Sequence, residues 1–157
     1  MAGGKPKAKG RRSKTDPGTK PIPESPVMQG GMARALGIRL TALTKKKVTA
    51  EMDIEPMHLN RSGRVSGGAI MAFADIVGAT GAVFNLPPGH RSGTIESKTN
   101  FFAAAKGPVL KAVSIPLHFG RTTTVWQTTV KNGDGKVAAI VTQTQIVIPA
   151  KSPGSEA

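Results

Sequence analysis

The chain has 157 residues, no cysteine and a formal net charge of +13, which bounds it to one domain whose core needs no covalent staple. A disulfide framework, a thiolate metal cluster and a cysteine nucleophile are thereby excluded. The positive surplus calls for an anionic partner, whether nucleic acid, an anionic membrane or a polyphosphate ligand.

Residues 1–26 carry Lys5, Lys7, Lys9, Arg11, Arg12, Lys14 and Lys20 against Asp16 and Glu24, with almost no large apolar side chain. Such a stretch cannot bury enough surface to offset its ordering entropy, so a disordered basic tail is expected. It has no aromatic residue for base stacking, and nucleic-acid binding by it is not expected. No apolar run follows the basic residues, and Gly and Pro oppose an amphipathic presequence, so a cytoplasmic location is expected. A folded domain is expected over residues 27–149, followed by a flexible tail over 150–157.

Val27 to Gly37 suits a short helix ended by Gly37. Ile38, Leu40 and Ala42, then Val48, Ala50, Met52 and Ile54, alternate with polar neighbours around the Lys45-Lys46-Lys47 break. Two runs of period two about a polar break predict a β-hairpin. The segment from Gly67 to Leu86 is apolar on every side and too long for a strand, and the prolines at 87 and 88 end it as a helix. Four β-rich stretches follow, over 93–103, 109–119, 122–131 and 136–148, with an Asn-Gly-Asp-Gly turn at Asn132. Strands joined by short turns favour an antiparallel sheet, and an all-apolar helix is buried only if that sheet curls around it. The alternative, a membrane span, would put Asp75 near the bilayer centre at a cost of roughly 3 kcal/mol. An α+β fold without a membrane span is therefore expected.

Asp75 is the one charge in that helix. A carboxylate left unpaired in a core costs several kcal/mol, roughly, so it either binds a structural donor or serves chemistry. Its helical neighbours Met71, Ala72, Gly78 and Ala79 are mostly small, which predicts a slot where a ligand or another chain comes close. The stretch before the helix, His58-Leu59-Asn60-Arg61-Ser62-Gly63-Arg64-Val65-Ser66-Gly67-Gly68, is polar and runs straight into its N-terminus. Free N–H groups there suit a carbonyl oxygen or an anion, and two glycines permit close approach.

These residues resemble the hotdog thioesterases of the phenylacetate-degradation, or PaaI-like, type. That pattern reads His-x-Asn-x-x-Gly-x-x-His-Gly-Gly with an acidic residue nine positions after the second His. His58, Asn60, Gly63, Gly67, Gly68 and Asp75 fall on it in register, and the likeness runs on through Thr94, Asn100-Phe101-Phe102, Gly120-Arg121-Thr122 and Asp134. The resemblance covers about residues 30–148. It implies a hotdog fold, an antiparallel sheet wrapped around a long central helix, with subunits paired edge to edge and the active site between them. It further implies hydrolysis of an acyl-CoA thioester, with Asp75 as general base or nucleophile and the Gly67 N–H as oxyanion hole. Asn60 from the facing subunit would orient the water or thioester, and Thr94 would touch the water. A homodimer is the minimal unit and a homotetramer is compatible. The motif's second His is Ser66 here, which motivates an alternative, a non-catalytic module that binds acyl-CoA as a sensor or scaffold.

Ser66, Gly68, His58, Arg91 and Arg121 are the expected substrate contacts, and His58 also suits a structural place. Arg61, Arg64, Lys98 and Lys106 are further candidates for the CoA phosphates, each equally at home as a solvated charge. Glu96, two residues from Thr94 on a strand, is expected on the same face as Thr94, as an auxiliary carboxylate or a solvated one. No metal-ligand spacing is present, so no metal and no cofactor are expected, coenzyme A being part of the substrate.

Overall fold

The computed structural model describes residues 22–150. In chain order these form a 3-10 turn (Pro26–Gln29), α1 (Gly31–Ala35), β1 (Ile38–Thr44), β2 (Lys47–Asp53), a second 3-10 turn (Pro56–His58), α2 (Gly67–Phe84), β3 (His90–Phe101), β4 (Val109–Phe119), β5 (Thr123–Asn132) and β6 (Val137–Pro149). The strands make one antiparallel sheet in the order β1-β2-β4-β5-β6-β3. α2 packs on one face of it, which is the α+β, helix-on-sheet arrangement expected.

The expected helix from Val27 to Gly37 is instead broken in two. Gly30 is extended (φ −63°, ψ 150°) between the first 3-10 turn and α1, because a Gly-Gly pair holds a helix poorly. Gly37 ends the second piece with φ +64°, a conformation that suits glycine. Upstream of the expected boundary at residue 27, Ile22 packs half-buried against the core and Ser25 is buried. Residues 1–21 of the expected basic tail and 151–157 of the C-terminal tail lie outside the described residues.

The inner face of α2 supplies Ile70, Phe73, Ala74 and Val77 to a core shared with Val48, Ala50, Met52, Leu110, Ala112, Trp126, Val130 and Val141. The sheet covers that face only; Met71 and Phe84 on other sides stay 40% and 36% exposed. By length and composition α2 could cross a membrane, but Phe73 and Val77 are fully buried under the sheet, which makes it a core helix. Asn85 ends it by donating from Nδ2 to Gly81 O at 2.8 Å and to Lys45 O at 3.1 Å, tying the helix to the β1–β2 turn.

Two glycines of α2 set how closely it approaches the sheet. A Cβ at Gly78 would overlap the carboxamide of Gln143, and one at Gly81 would overlap the Trp126 ring. The slot anticipated beside Asp75 is thus filled, at Gly78, by the chain's own Gln143. Trp126 cannot yield, since it is fully buried and stacked edge-on against Phe119 at 5.7 Å.

Gly81→Ala gains about 1 kcal/mol of helix propensity but forces the indole or the helix to move. Overpacking of this kind costs roughly 1–3 kcal/mol, and against so rigid a neighbour the clash wins. A lower urea midpoint for Gly81→Ala is expected; a raised one would mean that the helix–sheet spacing is looser than described.

Candidate active site

The residues singled out from the sequence gather into two clusters. The first lies at the start of α2. Asn60 shapes the loop there, its Oδ1 accepting the backbone N–H of Ser62 at 2.9 Å and of Arg64 at 3.3 Å. Its own N–H donates to Arg64 O at 2.7 Å, and Gly63, at φ +69°, closes the turn. Ser66 N donates to His58 O and Val65 N to Ala105 O, pinning the loop to the chain that leaves β3. Asn132, buried, clamps that exit from the other side through Lys106 N and Ala104 O.

A groove of about 420 Å³ results, lined by Asn60, Arg64, Gly67, Phe101, Phe102 and Ala104 among others. Asn60 Oδ1 is occupied by the loop, so Nδ2 is the atom left to donate toward a ligand. Ser66, at the N-cap position of α2, makes no side-chain cap bond. The first N–H groups of the helix, from Gly67 on, therefore stay available as donors at the groove. A Cβ at Gly67 would come within 3.2 Å of the Phe101 ring, so a small residue keeps this donor accessible.

The second cluster surrounds Asp75, two turns further along α2. Thr94 donates from Oγ1 to Asp75 Oδ1 at 3.0 Å. Gln143 Nε2 donates to the same Oδ1 at 3.2 Å and to the Asp75 carbonyl at 3.1 Å. Gln145 Nε2 donates to Thr94 Oγ1 at 2.8 Å, and Ser92 donates to Gln145 Oε1 at 3.2 Å. Gln143 and Gln145 are fully buried, and among the described residues Gln143 Oε1 has no partner. An orphaned acceptor of this kind costs about 1–3 kcal/mol.

Several expected residues fall elsewhere. His58 is 1% exposed, with Nδ1 accepting the Glu55 N–H at 3.1 Å, so it supports the loop from inside and does not line the groove. Gly68 is exposed beside Ser66. Arg91 pairs opposite Ile148, and Val147 N donates to Thr122 O next to Arg121. Both arginines therefore sit at the far end of the sheet from Phe101, which pairs with Ala139. Glu96 does not share a face with Thr94. A bulge at Ile95 adds one residue between them, so Thr94 pairs with buried Gln145 while Glu96 pairs with Thr144 and accepts its hydroxyl at 3.2 Å. One extra residue reverses the alternation. Among the described residues no group of three His, Asp or Glu stands where it could hold a metal ion.

Sequence reasoning passed over Ser92, Gln143 and Gln145. The signal was present in Val141-Thr142-Gln143-Thr144-Gln145, where period two puts both glutamines on the face of the buried Val141.

Comparison with known proteins agrees with this fold. The thioesterase superfamily matches residues 62–139, spanning α2 and most of the sheet. The ComA2 protein of Bacillus subtilis, provisionally named as an esterase, is 30% identical over 101 residues, 63% of this chain and 79% of its own. The chain belongs to the thioesterase superfamily. Among other superfamily members, a 1,4-dihydroxy-2-naphthoyl-CoA hydrolase of Listeria monocytogenes is 21% identical over 110 residues, 70% of this chain and 89% of its own. Solved hotdog thioesterases share the fold. One from Haemophilus influenzae superposes with a TM-score of 0.76 at 20% identity, covering 82% of this chain and 90% of that one. Another, from Streptococcus pneumoniae and solved with coenzyme A, gives 0.66 at 23% identity, covering 73% and 88%.

The Asn60 turn makes a separable prediction for this thioesterase fold. Asn60→Ala leaves the Ser62 and Arg64 N–H groups without their acceptor and lowers stability by about 1 kcal/mol, with faster exchange at those two amides. Asn60→Asp keeps the acceptor and leaves both unchanged. Equal exchange in all three proteins would show that the side chain does not hold the loop.

Proposed function

We propose that this chain hydrolyses acyl-CoA thioesters, in the manner of the PaaI-like type, with Asp75 as general base or nucleophile. The observation that carries the reading is the setting of Asp75: the one charge on a core helix, half-buried, with Oδ1 held by two donors.

Gly67 and Asp75 lie eight residues apart on one helix, about 12 Å at 1.5 Å per residue. A thioester carbonyl at the Gly67 N–H is too far from the Asp75 of the same chain for attack, which needs contact at roughly 3–3.5 Å. The site is therefore completed by a second copy. β3 is the end strand of the sheet, with one flank unpaired among the described residues, and an unpaired flank is a template for another strand. Two β3 strands pairing antiparallel about a two-fold axis bring the Phe101 end of one beside the Thr94 end of the other. The groove with Asn60 and Gly67 from one copy then meets Asp75 and Thr94 from the other, twice per dimer. Arg91 of the second copy approaches the same groove, beside Arg64, where cationic side chains suit the CoA phosphates.

In the base route Asp75 takes a proton from water as the water adds to the thioester carbon. The carbonyl oxygen gains negative charge against the Gly67 N–H. The C–S bond then breaks, and the CoA sulfur leaves with the proton that Asp75 returns. In the nucleophile route the Asp75 carboxylate itself displaces CoA, and water opens the resulting anhydride. Neither route needs a cofactor, coenzyme A being part of the substrate. The relative crystallised with coenzyme A and the relative named as a CoA-ester hydrolase support this substrate class. We place the reaction in the cytoplasm. Ser66, standing where the PaaI-like pattern has His, favours one competing reading, a module that binds acyl-CoA without turning it over.

Thiol release from a panel of acyl-CoAs decides between them. Wild type turns over at least one ester, and Asp75→Asn loses about 10²–10⁴-fold in kcat. Binding without turnover on every ester would establish the module instead.

The composite site has its own test. Asp75→Asn and Asn60→Asp are each inactive alone, but refolded together they regain about a quarter of wild-type activity, since half the dimers carry one intact site. No regain on mixing would place both residues in one chain's site.

A further inference from the structure

We infer that Gln143 and Gln145 are positioning residues that fix which oxygen of Asp75 reacts, holding Oδ1 against the sheet and leaving Oδ2 as the reactive atom. The inference rests on Asp75 acting as proposed above.

The order of donors follows from chemistry. A carboxylate only accepts hydrogen bonds, so the Thr94 hydroxyl, 3.0 Å from Asp75 Oδ1, must donate to it. With its single proton committed, Thr94 Oγ1 can only accept from its other neighbour. Gln145 meets that need with Nε2 at 2.8 Å. Were the Gln145 amide turned over, Thr94 would face an acceptor and its proton would be drawn away from Asp75. Ser92, donating to Gln145 Oε1 at 3.2 Å, satisfies the other end of the amide in this orientation. Ser92, Gln145 and Thr94 thus form a directional chain that ends on one carboxylate oxygen.

Gln143 reaches the same oxygen independently. Its Nε2 bridges Asp75 Oδ1 and the Asp75 carbonyl, locking the side chain to its own backbone. Among the described residues Asp75 Oδ2 accepts no hydrogen bond, although Asp75 is only half-buried. The arrangement sacrifices local stability: among the described residues the buried Gln143 Oε1 has no partner, and α2 carries glycine at 78 to admit the amide. A residue kept for packing alone would be apolar here, as Val141 and Val147 are on the same face of β6. Both glutamines are fully buried and bond to Asp75 or Thr94, so each acts through another side chain.

The test is a double-mutant cycle with Gln145→Met and Thr94→Val, together with Gln143→Met, measured as kcat and KM on an acyl-CoA that wild type hydrolyses. Gln145→Met and Thr94→Val each lower kcat about tenfold with KM within about twofold, and the double variant is no slower than the slower single. Independent losses that multiply to about a hundredfold would overturn the inference. Gln143→Met lowers kcat while its unfolding temperature holds or rises, because the orphaned carbonyl is gone; an unchanged kcat would also overturn it. Should Gln145→Met fail to fold, Gln145→Glu keeps the shape, removes the donor and takes its place in the cycle.

One readout needs no substrate, so failure of the enzyme reading stays distinguishable. In ¹⁵N-labelled protein the Gln145 side-chain NH₂ is protected from hydrogen exchange and loses that protection in Thr94→Val. If exchange is the same in both, the chain of donors is absent whether or not the protein is an enzyme.

Discussion

The structure depends on how closely α2 can lie against the sheet. Gly78 and Gly81 remove the two Cβ atoms that would hold the helix off, and Gln143 and Trp126 rise into the space. Helix and sheet thereby interlock rather than merely cover one another, and interiors packed at such density resist small shifts. The position of Asp75 is inherited from this contact. It stands on the helix three residues before Gly78, over the strand that carries Gln143, so the carboxylate cannot drift without disturbing the core.

That placement raises an electrostatic difficulty which the sheet resolves. A carboxylate drawn partly out of water needs donors, and a face of valine and alanine has none to give. β3 and β6 therefore present Ser92, Thr94, Gln143 and Gln145 together in one patch of the sheet. A buried polar network is stabilising when every member is paired and costly when one is not. Among the described residues its buried atoms are paired except at Gln143 Oε1, and Asp75 Oδ2 is left open beside it.

Much of the architecture was readable from periodicity. The hairpin about Lys45-Lys46 and the end of α2 before Pro87 emerged where alternation and proline put them, and the strand over 109–119 emerged with the expected bounds. Failures came where one residue changes the count. Gly30 splits a segment whose apolar spacing reads as continuous helix. Ile95 inserts into β3 and turns Glu96 away from Thr94, and nothing local in that sequence marks a bulge. Pattern could nominate Asp75 and Gly67, because a lone charge in an apolar helix and glycines at its start are anomalies in one dimension; Asn60 came with the family resemblance. Which side chains answer the charge depends on strand pairing between residues about fifty apart, so Gln143 and Gln145 became visible only once β3 lay beside β6.

That pairing also has a consequence in time. Among the described residues β3 joins the sheet solely through β6, and β6 is the last of their strands to be synthesised. While a chain is still emerging, α2 can form and β1, β2, β4 and β5 can begin to pair, since all four precede β6. β3 has no berth until Val137–Pro149 is available, so its docking waits for the last strand to emerge. Asp75 meanwhile waits without Thr94 or Gln143, on a helix whose neighbouring core is already condensing. The edge proposed to receive a second copy is thus the final piece laid down, and until then β5 carries the open border of the growing sheet.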